Sequence, residues 1–169
     1  NDFGVTWTAS SVSGVSTFKR VRWSSPLRRF VATASATGSS VGGAVSSDGI
    51  SWSTINTAAV GGNSIGDHLT YSPRLGIWLA STSTSFMKSE TGSSNSWSAY
   101  TATFPSIQGQ AAQAITNLIW NDDMNCFLAF ALYGSVYYPA TSADGVTWTT
   151  QTNSPSTQRG DGIAYAPSL

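Results

Sequence analysis

The groups in this chain that could do acid–base, nucleophilic or metal chemistry are few. There are eight acids, one histidine (His68) and one cysteine (Cys126) in 169 residues. Glycoside hydrolysis needs two carboxyl groups facing each other across the scissile bond. The acids here are scattered: Asp2, Asp48, Asp67, Glu90, Asp122, Asp123, Asp144 and Asp161. Asp2, Asp48 and Asp144 each precede a glycine in a turn-like segment, and Glu90 stands in a Ser/Gly-rich stretch, so these four read as turn residues. Asp67-His68-Leu69 and Asp161-Gly162-Ile163 occupy matching places before an apolar alternation. That repetition reads as structural, although a strand facing a central channel would also present these acids to a ligand. One His and one Cys do not make a transition-metal site, and we expect no metal and no cofactor. Asn121-Asp122-Asp123-Met124-Asn125 has oxygen ligands but not the spacing or distal Glu of an EF-hand, and reads as a solvated turn.

The elements that must position these groups announce themselves by repetition. Val21-Arg22-Trp23, Leu69-Thr70-Tyr71, Leu118-Ile119-Trp120 and Ile163-Ala164-Tyr165 share an apolar-x-aromatic step, with the aromatics 48, 49 and 45 residues apart. Phe30-Val31-Ala32, Trp78-Leu79-Ala80 and Phe127-Leu128-Ala129 repeat an aromatic-apolar-Ala step in the same phase, and Trp7, Trp52, Trp97 and Trp148 close the pattern. Self-similarity at this period signals a repeat architecture. Each unit reads as four short strands. The first carries the period-two alternation of a strand. A Pro- or Gly-bearing turn leads to the second, and a Ser/Thr/Gly-rich loop to the third. An Asp-Gly turn, a strong hairpin signal, separates the third from the fourth. Four antiparallel strands in each such unit predict an all-β chain of β-propeller blades or a segment of a propeller. The expected division is 1–9, the last strand of a preceding blade; 10–55, 56–101 and 102–152, three blades; and 153–169, the first strand of a following blade.

The units Ser47-Asp48-Gly49-Ile50-Ser51-Trp52 and Ser142-Ala143-Asp144-Gly145-Val146-Thr147-Trp148 resemble the Asp-box, or BNR, repeats of sialidase-like propellers. The family pattern has a residue between Asp and Gly; it is missing here, except in Asn1-Asp2-Phe3-Gly4-Val5-Thr6-Trp7. Ser89-Glu90-Thr91-Gly92 before Trp97 is a degenerate copy. The resemblance covers nearly the whole chain. It implies a structural role for Asp48, Gly49, Trp52, Asp144, Gly145, Trp148, Trp97 and Trp7: the carboxylate accepts backbone N–H groups across its turn, the Gly takes the positive φ, and the indole covers the hairpin. A sialidase-type site would need an arginine cluster, a tyrosine with a glutamate partner and an acid; Glu90 is the sole glutamate.

Three blades fall short of a ring of roughly four to eight. Two explanations stand open: a fragment of a longer protein, or a protomer that closes with other copies. Charged residues are only 9% and the net charge is zero, which gives no basic footprint for nucleic acid. No apolar run is long enough to insert in a membrane. The lone Cys126 rules out a disulfide framework. The resemblance and composition lead us to expect a non-enzymatic extracellular or virion-surface binding module, of the lectin or phage-tail type, contacting glycans or protein partners. A fragment of a sialidase-like hydrolase and a scaffold subunit are the alternatives. Turns between strands one and two, with Arg28, Arg29 and Arg74, share one end with the Asp-Gly turns. The other end carries the long loop 100–114 and an aromatic stretch in the third unit, where Tyr133, Tyr137, Tyr138, Gln108, Gln110 and Asn117 are the candidate sugar-binding residues.

Overall fold

The computed structural model describes residues 9, 11–36, 40–58, 65–82, 85–153, 155–158 and 162–164. Trp7, Asp2, Asp161 and Tyr165, and all but Ala9 of the strand expected over 4–9, lie outside the described residues. The described chain is all-β. Its strands are β1 (Val15–Ser24), β2 (Arg29–Ala36), β3 (Val41–Ser46), β4 (Ser53–Asn56), β5 (His68–Ser72), β6 (Ile77–Ser81), β7 (Ser85–Ser89), β8 (Ser98–Thr101), β9 (Ala114–Asn121), β10 (Cys126–Tyr133), β11 (Val136–Ser142) and β12 (Thr149–Thr150). They form three four-stranded antiparallel sheets, each a simple meander: β1 to β4, β5 to β8 and β9 to β12.

The repeated residues build the same local structure three times. The apolar-x-aromatic step pairs with the aromatic-apolar-Ala step across the first hairpin, so Trp23 faces Phe30, Tyr71 faces Trp78, and Trp120 faces Phe127. Their ring centroids are 4.5, 4.9 and 4.8 Å apart. Such cross-strand aromatic pairs fix register as well as burying area. The hairpin turn is equally regular. The Leu27, Leu75 and Met124 N–H groups donate to Ser24 Oγ, Ser72 Oγ and Asn121 Oδ1. Arg28, Gly76 and Asn125 follow with positive φ.

The sheets stack in chain order. The first strands are neighbours, β1 beside β5 and β5 beside β9. One core lies between the first two sheets, with Val31 and Ile55 on one side and Leu69, Trp78, Ala80, Met87 and Trp97 on the other. A second lies between the second and third sheets, where Leu79 and Phe86 meet Leu118, Trp120, Phe127 and Trp148. Each fully buried large side chain contributes about 1.5–3 kcal/mol. Polar contacts stitch the same seams. The Arg29 guanidinium donates to Thr91 O at 2.9 Å and Ser93 Oγ at 2.6 Å, and Tyr100 Oη donates to Gly145 O at 2.8 Å.

Candidate functional site

The Asp-Gly turns are self-contained. Asp48 Oδ1 accepts the N–H groups of Ile50 and Ser51 at 2.8 and 2.7 Å and the Ser46 hydroxyl at 2.9 Å. Asp144 Oδ1 repeats this with Val146, Thr147 and Ser142 at 2.8, 2.8 and 2.9 Å. Gly49 and Gly145 have positive φ, and their carbonyls accept the indole N–H of Trp52 and Trp148 at 3.0 Å. The backbone N–H bonds hold the Asp48 carboxyl down at about 2. Burial raises Asp144, but its own turn's N–H bonds outweigh that and leave it below the ordinary value. Both carboxylates are spent on their turns. The second unit keeps part of the arrangement: Gly92 N–H donates to Ser89 Oγ at 2.7 Å, and Ser96 rather than an acid meets that hydroxyl at 2.6 Å.

The expected sugar-binding residues separate. Tyr133 and Tyr138 are buried, 3% and 9% exposed, with their rings edge to face in the core of the third sheet. Tyr133 Oη donates to Pro105 O at 2.8 Å. Neither ring offers a stacking face to a sugar. The cause is alternation: Tyr133 shares its strand face with Phe127, Ala129 and Ala131, all buried. Tyr137 points to the other face and is half-buried. Gln108 and Gln110 are exposed on a tight hairpin closed by Ile107 and Gln110, and the Gln110 side chain lies over Gly134. Asn117 is elsewhere, on the first strand of the third sheet.

Asn117 leads to a different site. In β9, Leu118 pairs with Ala129 and Thr116 with Phe130, so Asn117 is the extra residue of a β-bulge, with φ 54°. Asn tolerates this left-handed conformation, and a bulge re-aims a side chain. β1 carries a similar irregularity between Phe18 and Arg20. Counting back three residues from each landmark aromatic, Arg20, His68, Asn117 and Gly162 occupy one repeat position. All four line a single cleft of about 300 Å³, together with Arg22, Leu69, Leu118, Ile119 and Ile163. His68 and Asn117 are buried in its wall, 7% and 8% exposed. Burial and the neighbouring charge of Arg20 both lower the Arg22 pKa. One guanidinium N–H of each arginine is turned to the carbonyl of the residue before it, at 3.1 and 3.0 Å. None of the described lining residues is an acid. Two guanidinium groups, an imidazole and an amide thus line one cleft, and guanidinium forks are groups that match carboxylate, sulfate or phosphate oxygens.

The sequence offers Asn117 as a sugar-binding candidate, Arg20 and Arg22 as part of a basic-aromatic cluster and His68 as the lone histidine, without bringing them together. The signal was present, because the repeat itself places Arg20 and His68 at the position of Asn117. Among the described residues, no group of three or more His, Cys, Asp or Glu is placed to hold a metal ion. The 121–125 turn is capped from within, with Asp122 Oδ1 accepting Trp120 Nε1–H at 2.7 Å. No helix of the described chain is long and apolar enough to cross a membrane. Comparison with known proteins gives no match: no family model, no curated protein and no solved structure matches the chain.

Proposed function

We propose that this chain is a propeller-type, non-enzymatic binding module whose inner-strand cleft takes the anionic group of an acidic glycan. The observation that carries this reading is the meeting of Arg20, His68 and Asn117, one repeat position on three adjoining first strands, in one cleft with Arg22. The in-order stacking of the sheets, first strand beside first strand, supports the propeller architecture. The exposed hydroxyls and amides suit the neutral part of a sugar. The 9% charge content and the Ser-, Thr- and Gly-rich composition support a place outside the cell or on a virion.

A glycan array with sulfated, carboxylated and neutral sugars tests the reading, followed by titration calorimetry on Arg20→Gln and Arg22→Gln. Binding restricted to acidic sugars and weakened about tenfold or more by either substitution is expected, the scale of a charged hydrogen bond. Binding of neutral sugars with equal affinity, or acidic-sugar binding indifferent to both substitutions, overturns it.

One observation favours a scaffold reading as well: the outer face of the first sheet is apolar and exposed.

A further inference from the structure

The loop 102–113, which joins the second sheet to the third, is pinned along its length. The Thr103 N–H donates to Val146 O at 2.7 Å and the Thr103 carbonyl accepts the Trp148 N–H at 2.9 Å, which ties the start of the loop beside the Asp144 turn. The Phe104 ring stacks on Trp148 and Phe86, with centroids 5.3 and 6.2 Å away. Pro105 O accepts the Tyr133 hydroxyl at 2.8 Å, and at the far end the Gln113 N–H donates to Leu132 O at 2.8 Å. A loop held this way by a rigid scaffold can present a preformed site.

This loop and the second sheet enclose a cleft of about 430 Å³. Ser85, Thr101 and Thr103 line it with exposed hydroxyls, and Ala102, Ala112 and Ile115 line it with methyl groups. Its described lining holds no charged side chain. Hydroxyls both donate and accept, whereas an ionic group here would lose water and gain no counter-charge. An uncharged sugar ring suits such a wall, with its hydroxyl edge towards Ser and Thr and its C–H face towards the methyl groups. The cleft shares β9 with the arginine cleft. Ile115 lines the one and Asn117 the other, two residues apart and so roughly 7 Å along the strand.

We infer, resting on the acidic-glycan reading of the arginine cleft, that the two clefts are neighbouring subsites for one glycan of at least two rings. The charged ring sits at Arg20 and Arg22, and the adjoining neutral ring sits against Ser85, Thr101 and Thr103. The neutral subsite adds affinity only to a ligand already anchored by its charge.

Titration calorimetry on the whole chain tests this with four probes: glucuronic acid, galactose 6-sulfate, and the disaccharide of each with N-acetylglucosamine. At least one disaccharide is expected to bind about tenfold more tightly than its own acidic monosaccharide, the scale of one or two neutral hydrogen bonds. Thr101→Val combined with Thr103→Val removes two hydroxyls at exposed positions, and Ser85→Trp fills the cleft from a third. Each variant is expected to erase the disaccharide's advantage while leaving monosaccharide affinity and far-ultraviolet circular dichroism unchanged. Equal affinity of the native chain for monosaccharide and disaccharide overturns the second subsite, as does an advantage that survives in both variants. In either case monosaccharide binding that is lost in Arg20→Gln leaves the arginine cleft standing. If none of the four probes binds, the reading of the arginine cleft falls and the second subsite falls with it.

Discussion

The Thr70 hydroxyl accepts the backbone N–H of Trp120 at 2.9 Å across the seam between β5 and β9. Both residues are buried. This bond ties the third sheet's first strand to the second's, the two strands that bring Asn117 and His68 to one cleft. Thr70→Val keeps the shape and removes the acceptor, leaving a buried N–H unpaired. The expected cost is about 1–3 kcal/mol, and thermal denaturation is expected to show a Tm fall of roughly 2–4 °C per kcal/mol. An unchanged Tm would show that the seam is held by packing alone.

Acid should loosen the Asp-Gly turns. The N–H groups of Ile50 and Ser51 and the Ser46 hydroxyl hold the Asp48 carboxyl at about 2, against an ordinary 3.8. A folded value below the unfolded one means the contribution is complete above the unfolded pKa and is lost as pH falls through the folded one. Tm is therefore expected to drop as pH falls from about 4 towards 2, and Asp48→Asn is expected to flatten that limb of the profile. Asp144, lowered by the same kind of turn, shifts in the same direction. A profile of Asp48→Asn that parallels the native one would remove the turn from the acid response.

Two glycines with left-handed backbones separate strain from crowding. Gly76 has φ 67° and open space where a Cβ would go. Gly92 has φ 71°, but a Cβ there would lie 2.7 Å from Trp78 Nε1 and from Val31 Cγ2, both in the core between the first two sheets. Gly76→Ala is expected to cost only the backbone strain, about 1–2 kcal/mol. Gly92→Ala adds overpacking of about 1–3 kcal/mol. Equal urea midpoints for the two variants would mean that Trp78 moves aside freely.

Much of this architecture was legible in the sequence because the period locks three landmarks together. Trp23, Tyr71 and Trp120 each announce a strand, and each finds its aromatic partner seven residues later across a turn. The Asp48 and Asp144 turns were legible for the same reason: their chemistry is local, complete within a few residues. Ligand residues were harder to find. Tyr133 and Tyr138 drew attention as aromatic, yet the alternation that places Phe127 and Ala129 inside places Tyr133 inside too. The cleft was hidden because Arg20, His68 and Asn117 are chemically unlike and far apart in sequence, and share only a repeat position. Asn117 lines the cleft from a bulge, a feature invisible in composition.

The degenerate second unit makes the sharpest contrast. Trp148 Nε1–H donates to the Gly145 carbonyl at 3.0 Å, whereas the buried Trp97 Nε1 finds no acceptor among the described residues. Both indoles are nearly fully buried, so replacing either by phenyl removes similar apolar area and leaves a similar void. The polar terms differ in sign. Trp148→Phe loses a made hydrogen bond, a net cost of about 1 kcal/mol, although Tyr100 Oη still satisfies the Gly145 carbonyl. Trp97→Phe removes a buried donor that lacks a partner, which relieves roughly 1–3 kcal/mol of desolvation and offsets part of the void. Trp148→Phe is therefore expected to destabilise the chain more than Trp97→Phe, read as a lower urea midpoint at an unchanged m value. The reverse order would mean that the Trp97 indole N–H has a bound water or another partner, and that the second turn replaces the lost acid rather than tolerating its absence.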